Sequence, residues 1–422
     1  MKLLIQNARL LSLRDGLDGP GDVRVEDGRI AAIGPDAGRG AGDFPRIDAG
    51  GLCLAPGLVD LYARVTEPSA QGHESAISLS RAAAAGGYTA VCAHFGACTP
   101  QDITDFIERA QYASCDLLPA ARLTADGREL LHYGDLKLAG ARAFYNEEGI
   151  DDPLLMRDAL FRAKKHSAFL LSRCREKRLC GEGYIREGAF SRMMEVQGIP
   201  ASAEAVMAAR DLVLCRESGA PVHLAHVSTA ATVSLIAEAK AHGLPVTCST
   251  EPHYLALTSS ELRSFSPLCK LDPPLGNPED VRALRDGLKS GVIDCVASGH
   301  TPLTAADKNR SLLSAACGAS SLETALPVCL TALYHTGEMP LAGVLDRLSA
   351  APASLLGLKT GRLAAGYDAD FVLFDPDAEW VCSGRRFVSR GQNTPFEGKT
   401  LRGRVLYTVK AGRVIVEKGA LK

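Results

Sequence analysis

The stretch GLVDLYARVTEP, residues 57–68, decides the fold. It follows a β-rich N-terminal segment, is short and largely apolar, and reads as the first strand of a large α/β domain. Runs of the same kind recur downstream: GGYTAVCAHF, ARAFYN, SAFLLSR, PVHLAHV, LPVTCST and VIDCVASGH. Several are rich in β-branched residues, as strands buried on both faces of a parallel sheet should be. Helical periodicity lies between them. SAEAVMAARDLVLCRESG places Val206, Ala209 and Val213 on one face, with Ser202 as N-cap, Glu204 in the first turn and Gly219 as the stop. STAATVSLIAEAKAHG has the same form and stops at Gly243. This repeated alternation predicts a (β/α)8 barrel over residues 56–355, with a doubly wound open sheet as the runner-up. Barrel chemistry sits at the C-terminal ends of the strands, so those positions carry the functional reading.

Both ends of the chain read differently. Val23, Val25 and the run from Ile30 to Ile33 flank an Asp27-Gly28 pair, which is a hairpin signal. VLYTVK and RVIVE flank Ala411-Gly412 in the same way. Two β segments enclosing a long α/β middle predict one small β-sandwich built from residues 1–55 and 356–422.

The 422 residues suit one large barrel with a small accessory domain. A formal net charge of -2 with no basic stripe argues against a nucleic-acid partner. No run reaches the length of a membrane span, and MKLLIQNARLLSLRDG lacks the apolar core and cleavage site of a leader, so the expected setting is cytoplasmic. Thirteen cysteines, an odd number with no C-x-x-C, read as small buried hydrophobes in a reducing compartment.

Ordered motifs then point to a family. APGLVDL, AAAAGGYTAV, HVSTAATVSLIAEAKAHGLPVTC, EPHYLALT, DPPLGNPEDVRALRDGLKSGVID, GYDADFVLFDP and QNTPFEGKTLRGRV cover nearly the whole chain and resemble dihydroorotase. That resemblance implies a barrel of the amidohydrolase superfamily with a terminal β-sandwich. It also implies a zinc site in which metal-bound hydroxide attacks a cyclic amide while an Asp moves the proton.

Aligned on these motifs, the strand ends depart from the family's pattern. Tyr62 and Arg64 stand where the family has two His, and Thr66 where it has an Arg for the substrate carboxylate. Gly96 and Asp272 replace substrate-binding Asn residues. Arg173 takes the place of a zinc His, Gly299 that of the proton-shuttling Asp, and Leu303 that of a further His. Glu147 and Glu148 keep the charge of an acidic pair, and His226 matches a retained zinc His. Two unit charges about 4 Å apart at an effective dielectric of ~20 interact by roughly 4 kcal/mol, and a guanidinium beside a dication by about twice that. Arg64 and Arg173, which do not lose their protons, are therefore expected to exclude a metal and to pair with Glu147 and Glu148.

The expectation is a chain that keeps the family's fold without zinc, cofactor or hydrolysis. It would act as a non-catalytic partner, most like the inactive dihydroorotase-like subunits associated with bacterial aspartate transcarbamoylase, in a homo- or hetero-oligomer of pyrimidine biosynthesis. The alternative is an active dihydroorotase or related cyclic amidohydrolase whose zinc site is rebuilt from His226, His300 and Glu147. His94, His223 and His253 also lie on or near strands but match no ligand spacing. A hydantoinase or allantoinase is a third reading, for which the family's modified Lys has no counterpart between Ala139 and Asn146. Arg173, Arg175, Lys177 and Arg178 read as a solvated face or, equally, as a patch that docks an acidic surface.

Overall fold

The computed structural model describes residues 1–66 and 73–422; Glu67 and Pro68, which close the opening motif, lie outside the described residues. Eight parallel strands follow one another in sequence order round the sheet. They are β1 (Leu58–Arg64), β2 (Tyr88–Ala97), β3 (Asp116–Ala121), β4 (Ala143–Tyr145), β5 (Leu170–Arg173), β6 (Val222–Ala225), β7 (Val246–Thr250) and β8 (Cys295–Val296). The segment after β8 returns to β1: Ala63 bridges His300 in parallel, Arg64 N–H donates to His300 O at 2.8 Å, and Ser298 N–H donates to Asp60 Oδ1 at 2.7 Å. The expected barrel is formed.

Small side chains fill its interior. Ala90, Ala120, Ala143, Ala225 and Ala297 face Val59, Leu61 and Leu171. Helix Ala350–Leu355 adds Ala351 and Ala353 to the same core, at the N-terminal end of β1 where Ser349 Oγ donates to Gly57 O at 2.7 Å. The opposite ends of the strands therefore hold the open, polar mouth.

The helix Ser202–Ser218 corrects two details of the sequence reading. Its N-cap is Ala201, and no side chain caps it. Val206 and Val213 are exposed, and the buried face carries Met207, Ala208, Leu212 and Cys215 together with Glu204 and Asp211. The apolar count favoured the wrong stripe because two acidic residues are buried on the true one. Glu204 accepts from the hydroxyls of Ser228 (2.6 Å) and Thr229 (2.9 Å), and Asp211 from Ser172 Oγ at 2.5 Å. The expected stop at Gly219 is present, with φ +59°.

Strands from both ends of the chain form a separate nine-stranded sheet. Lys2–Ser12 pairs with Leu17–Glu26 and, in parallel, with Cys53–Pro56, which in turn pairs antiparallel with Phe371–Val381. The Asp27-Gly28 hairpin turn has φ +49° and +76°, the left-handed pair that a tight two-residue turn demands. Val23, Val25, Ile30, Phe371 and Val409 are buried on this sheet. All thirteen cysteines are free, eleven of them buried. No helix among the described residues is long and apolar enough to cross a membrane.

Candidate active site at the barrel mouth

Tyr62, near the end of β1, is buried and donates from its hydroxyl to Glu147 Oε2 at 2.6 Å. Its ring meets His94 of β2, Tyr145 of β4 and His226 after β6, with centroids 4.7, 5.4 and 4.6 Å away. The aromatic floor is thus made from four strand ends. His94 Nε2–H donates to Leu61 O at 3.1 Å, and burial pulls its imidazole down to about 4, so it is neutral at pH 7.

Glu147 is a hub. Arg173 Nη1 reaches its Oε1 at 2.8 Å and its carbonyl at 2.9 Å. Burial pushes the Glu147 carboxyl up, but Arg173, the Tyr62 hydroxyl and Arg64 together bring it below the ordinary range. Arg173 itself is buried, and its other arm meets Asp272 Oδ2 at 2.7 Å. Asp272 also lies 3.6 Å from Arg175, so the charge expected to repel a carboxylate is neutralised within the protein. The expected pairing therefore holds for Arg173 with Glu147 and fails for the other two residues. Glu148 is exposed and pairs with Arg122 at 2.9 Å, while Arg64 makes no ion pair among the described residues. Arg173 is likewise no part of a solvated face, whereas Lys177 is half-exposed and pairs with Asp151 at 2.7 Å.

A cavity of about 160 Å³ opens at the ends of β1 to β4. Arg64, Thr66, His94, Gly96, Arg122, Tyr145 and Glu147 line it.

The other side of the mouth is built on His226, which sits at φ +59°, a conformation that costs about 1–3 kcal/mol outside glycine. Two contacts hold it there. Its Nε2 accepts from Tyr145 Oη at 3.0 Å, and its Nδ1–H donates to Glu251 Oε1. Glu251, directly after β7, also meets His253 Nε2 at 2.6 Å through its second oxygen. Burial pushes the Glu251 carboxyl up, but His226 and His253 hold it far below the usual range, so it is ionised. Gly299 lies against it. A Cβ at position 299 would stand 2.3 Å from Glu251 Cδ, and Gly299 has φ +65°.

His300 is turned elsewhere: its Nδ1 accepts from Ser321 N–H at 3.0 Å, and its Nε2 lies 3.8 Å from Glu74. His223 is held inside the barrel by Thr247 and Ser249 at 2.9 and 3.0 Å, where burial lowers it to about 3. Asp60 is fully buried against Ser298, and burial raises its carboxyl to about 7.

Glu251, Tyr145, Arg122, Asp60 and His253 are the site residues that sequence reasoning left without a role. A usable signal existed for Glu251. It directly follows the strand LPVTCST, and acidic residues at barrel strand ends point into the mouth.

Residues 51–232 match a protein family described as dihydro-orotase-like. Over 99% of its length, and 100% of the relative's, the chain is 37% identical to a dihydroorotase of Syntrophus aciditrophicus (strain SB). It is also 37% identical to a dihydroorotase of Pelotomaculum thermopropionicum, with all of both chains covered. Among solved structures it is similar to the L-hydantoinase (dihydropyrimidinase) of Arthrobacter aurescens, with a TM-score of 0.88 and 25% identity over 100% of this chain and 97% of that one. The dihydropyrimidinase of Brevibacillus agri NCHU1002 shares the fold with a TM-score of 0.85 and 23% identity, covering 100% of this chain and 96% of that one.

These likenesses correct the expectation of a non-catalytic partner. Relatives that match from end to end bear the name of a hydrolase, which supports an enzyme and weighs against a chain without activity. The strand-end positions that depart from the family's pattern do not include Glu251, which reaches the mouth directly after β7. The expectation of no cofactor is corrected on the same grounds, because the resemblance ties enzymes of this kind to a zinc site. The fit of such an ion to the present donors is poor. Glu147 is engaged by Arg173 and Tyr62, His226 by Tyr145 and Glu251, and His300 by Ser321. Among the described residues no group of three His, Cys, Asp or Glu is arranged to hold a metal ion, and His226, His300 and Glu147 each face other partners.

Proposed function

The chain belongs to the dihydroorotase family, and from that premise we propose that it hydrolyses the C–N bond of a cyclic amide bearing a carboxylate, a dihydroorotate-like ring. The reading carries with it a place in pyrimidine biosynthesis and a cytoplasmic setting.

The cavity over β1 to β4 is the observation that supports it most directly. It presents the Arg64 guanidinium, with no ion-pair partner among the described residues, beside Arg122 and the backbone turn at Gly96, whose φ is +77°. A guanidinium suits a planar carboxylate because it offers paired donors. The anionic arm of the ring is assigned to Arg64, and its amide face lies towards Tyr145 and His94. Glu147 also lines the cavity, where Arg173 offsets its charge at 2.8 Å.

Turnover of dihydroorotate by the purified chain, measured as received, after chelation and after zinc loading, tests the reading. Ring opening above the uncatalysed rate is expected, with Arg64→Gln raising KM about tenfold or more, as loss of a charged hydrogen bond should. Absence of turnover in every arm overturns it. Assembly with aspartate transcarbamoylase is a further part of the proposal, supported by the family resemblance. Leu138, Leu154 and Phe161, exposed on the neighbouring helices Tyr133–Leu138 and Pro153–His166, give a flank suited to a protein contact. Co-elution of the two purified proteins in size-exclusion chromatography checks it, and separate elution counts against it.

A further inference from the structure

We propose that Tyr145, His226 and Glu251 form the proton-transfer chain of this mouth, with Glu251 as the positioning residue and Gly299 the space into which its carboxylate fits. The inference rests on the hydrolase reading above and assigns residues to it.

The chain is continuous in hydrogen bonds. Tyr145 lines the cavity, its hydroxyl lies 3.0 Å from His226 Nε2, and His226 Nδ1 faces Glu251 Oε1. Glu251 Oε1 accepts from Nδ1–H, which fixes the tautomer and leaves Nε2 as the acceptor aimed at Tyr145. An acid group behind an imidazole that faces a hydroxyl is the arrangement by which enzymes orient a base and stabilise its cationic form. The strained backbone of His226 supports a demand for this orientation. A carboxylate bound also to His253 needs a bare backbone beside it, and Gly299 supplies one. Any side chain at position 299 would begin where that carboxylate now lies, 2.3 Å from its carbon and 2.4 Å from Oε2.

In the forward step a water in the cavity attacks the ring carbonyl carbon. As the C–O bond forms, the water proton passes to Tyr145 Oη while the Tyr145 proton passes to His226 Nε2. In the return step the proton retraces the path and is delivered to the ring nitrogen as the C–N bond breaks. The products are a carboxylic acid and an amine, so water, amide and proton balance with no other reactant.

The test compares Glu251→Gln, Glu251→Ala and the double variant Glu251→Ala/Gly299→Asp in the full-length protein. Glu251→Gln keeps the shape, and its kcat should fall about a hundredfold or more with KM little changed, the size of effect that positioned proton transfer supplies. The double variant returns a carboxylate to the vacated space from the facing backbone and should recover at least about tenfold over Glu251→Ala. Thermal melts of all three separate loss of chemistry from loss of fold. Wild-type turnover with unchanged kcat in Glu251→Gln overturns this chain and leaves the hydrolase reading standing. Wild-type protein without turnover on any cyclic amide overturns both. Failure of Gly299→Asp to restore a folded Glu251→Ala overturns the assignment of that space.

Discussion

Arg173 and His226 stand at the ends of β5 and β6, neighbours in the sheet with Arg173 paired to Ala225 in register, yet their surroundings differ. Round Arg173 the charges are full and opposite, with Glu147 and Asp272 at 2.8 and 2.7 Å, and the guanidinium is buried. Round His226 one carboxylate serves two imidazoles and a phenol completes the line. An ion-pair cluster of the first kind fixes geometry because removing one member leaves bare charge in a poorly solvated place. A hydrogen-bonded line of the second kind can take up and return a proton, because a carboxylate stands behind the imidazole that becomes cationic. The mouth therefore divides into a rigid half and a transferring half.

The contrast is broken most severely at Arg173. Arg173→Met should destabilise the protein by about 3–5 kcal/mol, since Glu147 and Asp272 lose their shared cation, and chemical denaturation measures it. Gly299→Ala comes next, at about 1–3 kcal/mol from the clash with Glu251 and the left-handed backbone. In a Glu251→Ala background most of the clash should vanish, so a double-mutant cycle by thermal melting should show coupling between the two sites.

A pH series sharpens the comparison further. The folded Asp60 carboxyl titrates at about 7, above its unfolded value, so between roughly pH 4 and 7 the folded state holds a proton that the unfolded state has released. Its contribution is full below that window and is lost as pH rises through it. Glu251 has the opposite sign: its folded carboxyl is depressed, so its contribution is present above the unfolded value and is lost as pH falls below it. Asp60→Asn should flatten stability between pH 4 and 7 and leave the acid limb intact, as urea titration at each pH would reveal. The smallest effect is expected at Glu148→Gln, within about 1 kcal/mol, because its pair with Arg122 is half-exposed.

The barrel was legible because its strands are continuous apolar runs bounded by glycine, and the terminal hairpins because Asp27-Gly28 and Ala411-Gly412 have few other uses. The buried stripe of helix Ser202–Ser218 was not, because Glu204 and Asp211 look like surface residues until the hydroxyls of Ser228, Thr229 and Ser172 are placed beside them. At the mouth, the Arg173 pairing with Glu147 followed from charge alone. The choice of Arg122 for Glu148, and of Glu251 for His226, depends on which strand ends face one another across the barrel, a distance that spacing along the chain does not encode.

The terminal sheet has a consequence for biosynthesis. Cys53–Pro56 leaves the ribosome early, while its antiparallel neighbour Phe371–Val381 follows about three hundred residues later. Until translation reaches that strand, Cys53–Pro56 has one edge unpaired, and such edges invite mispairing with other chains. The barrel between them is local by comparison, each strand pairing with the next in sequence order, and can condense first. Fusions or deletions near the last strands should therefore harm yield more than their distance from the mouth would suggest.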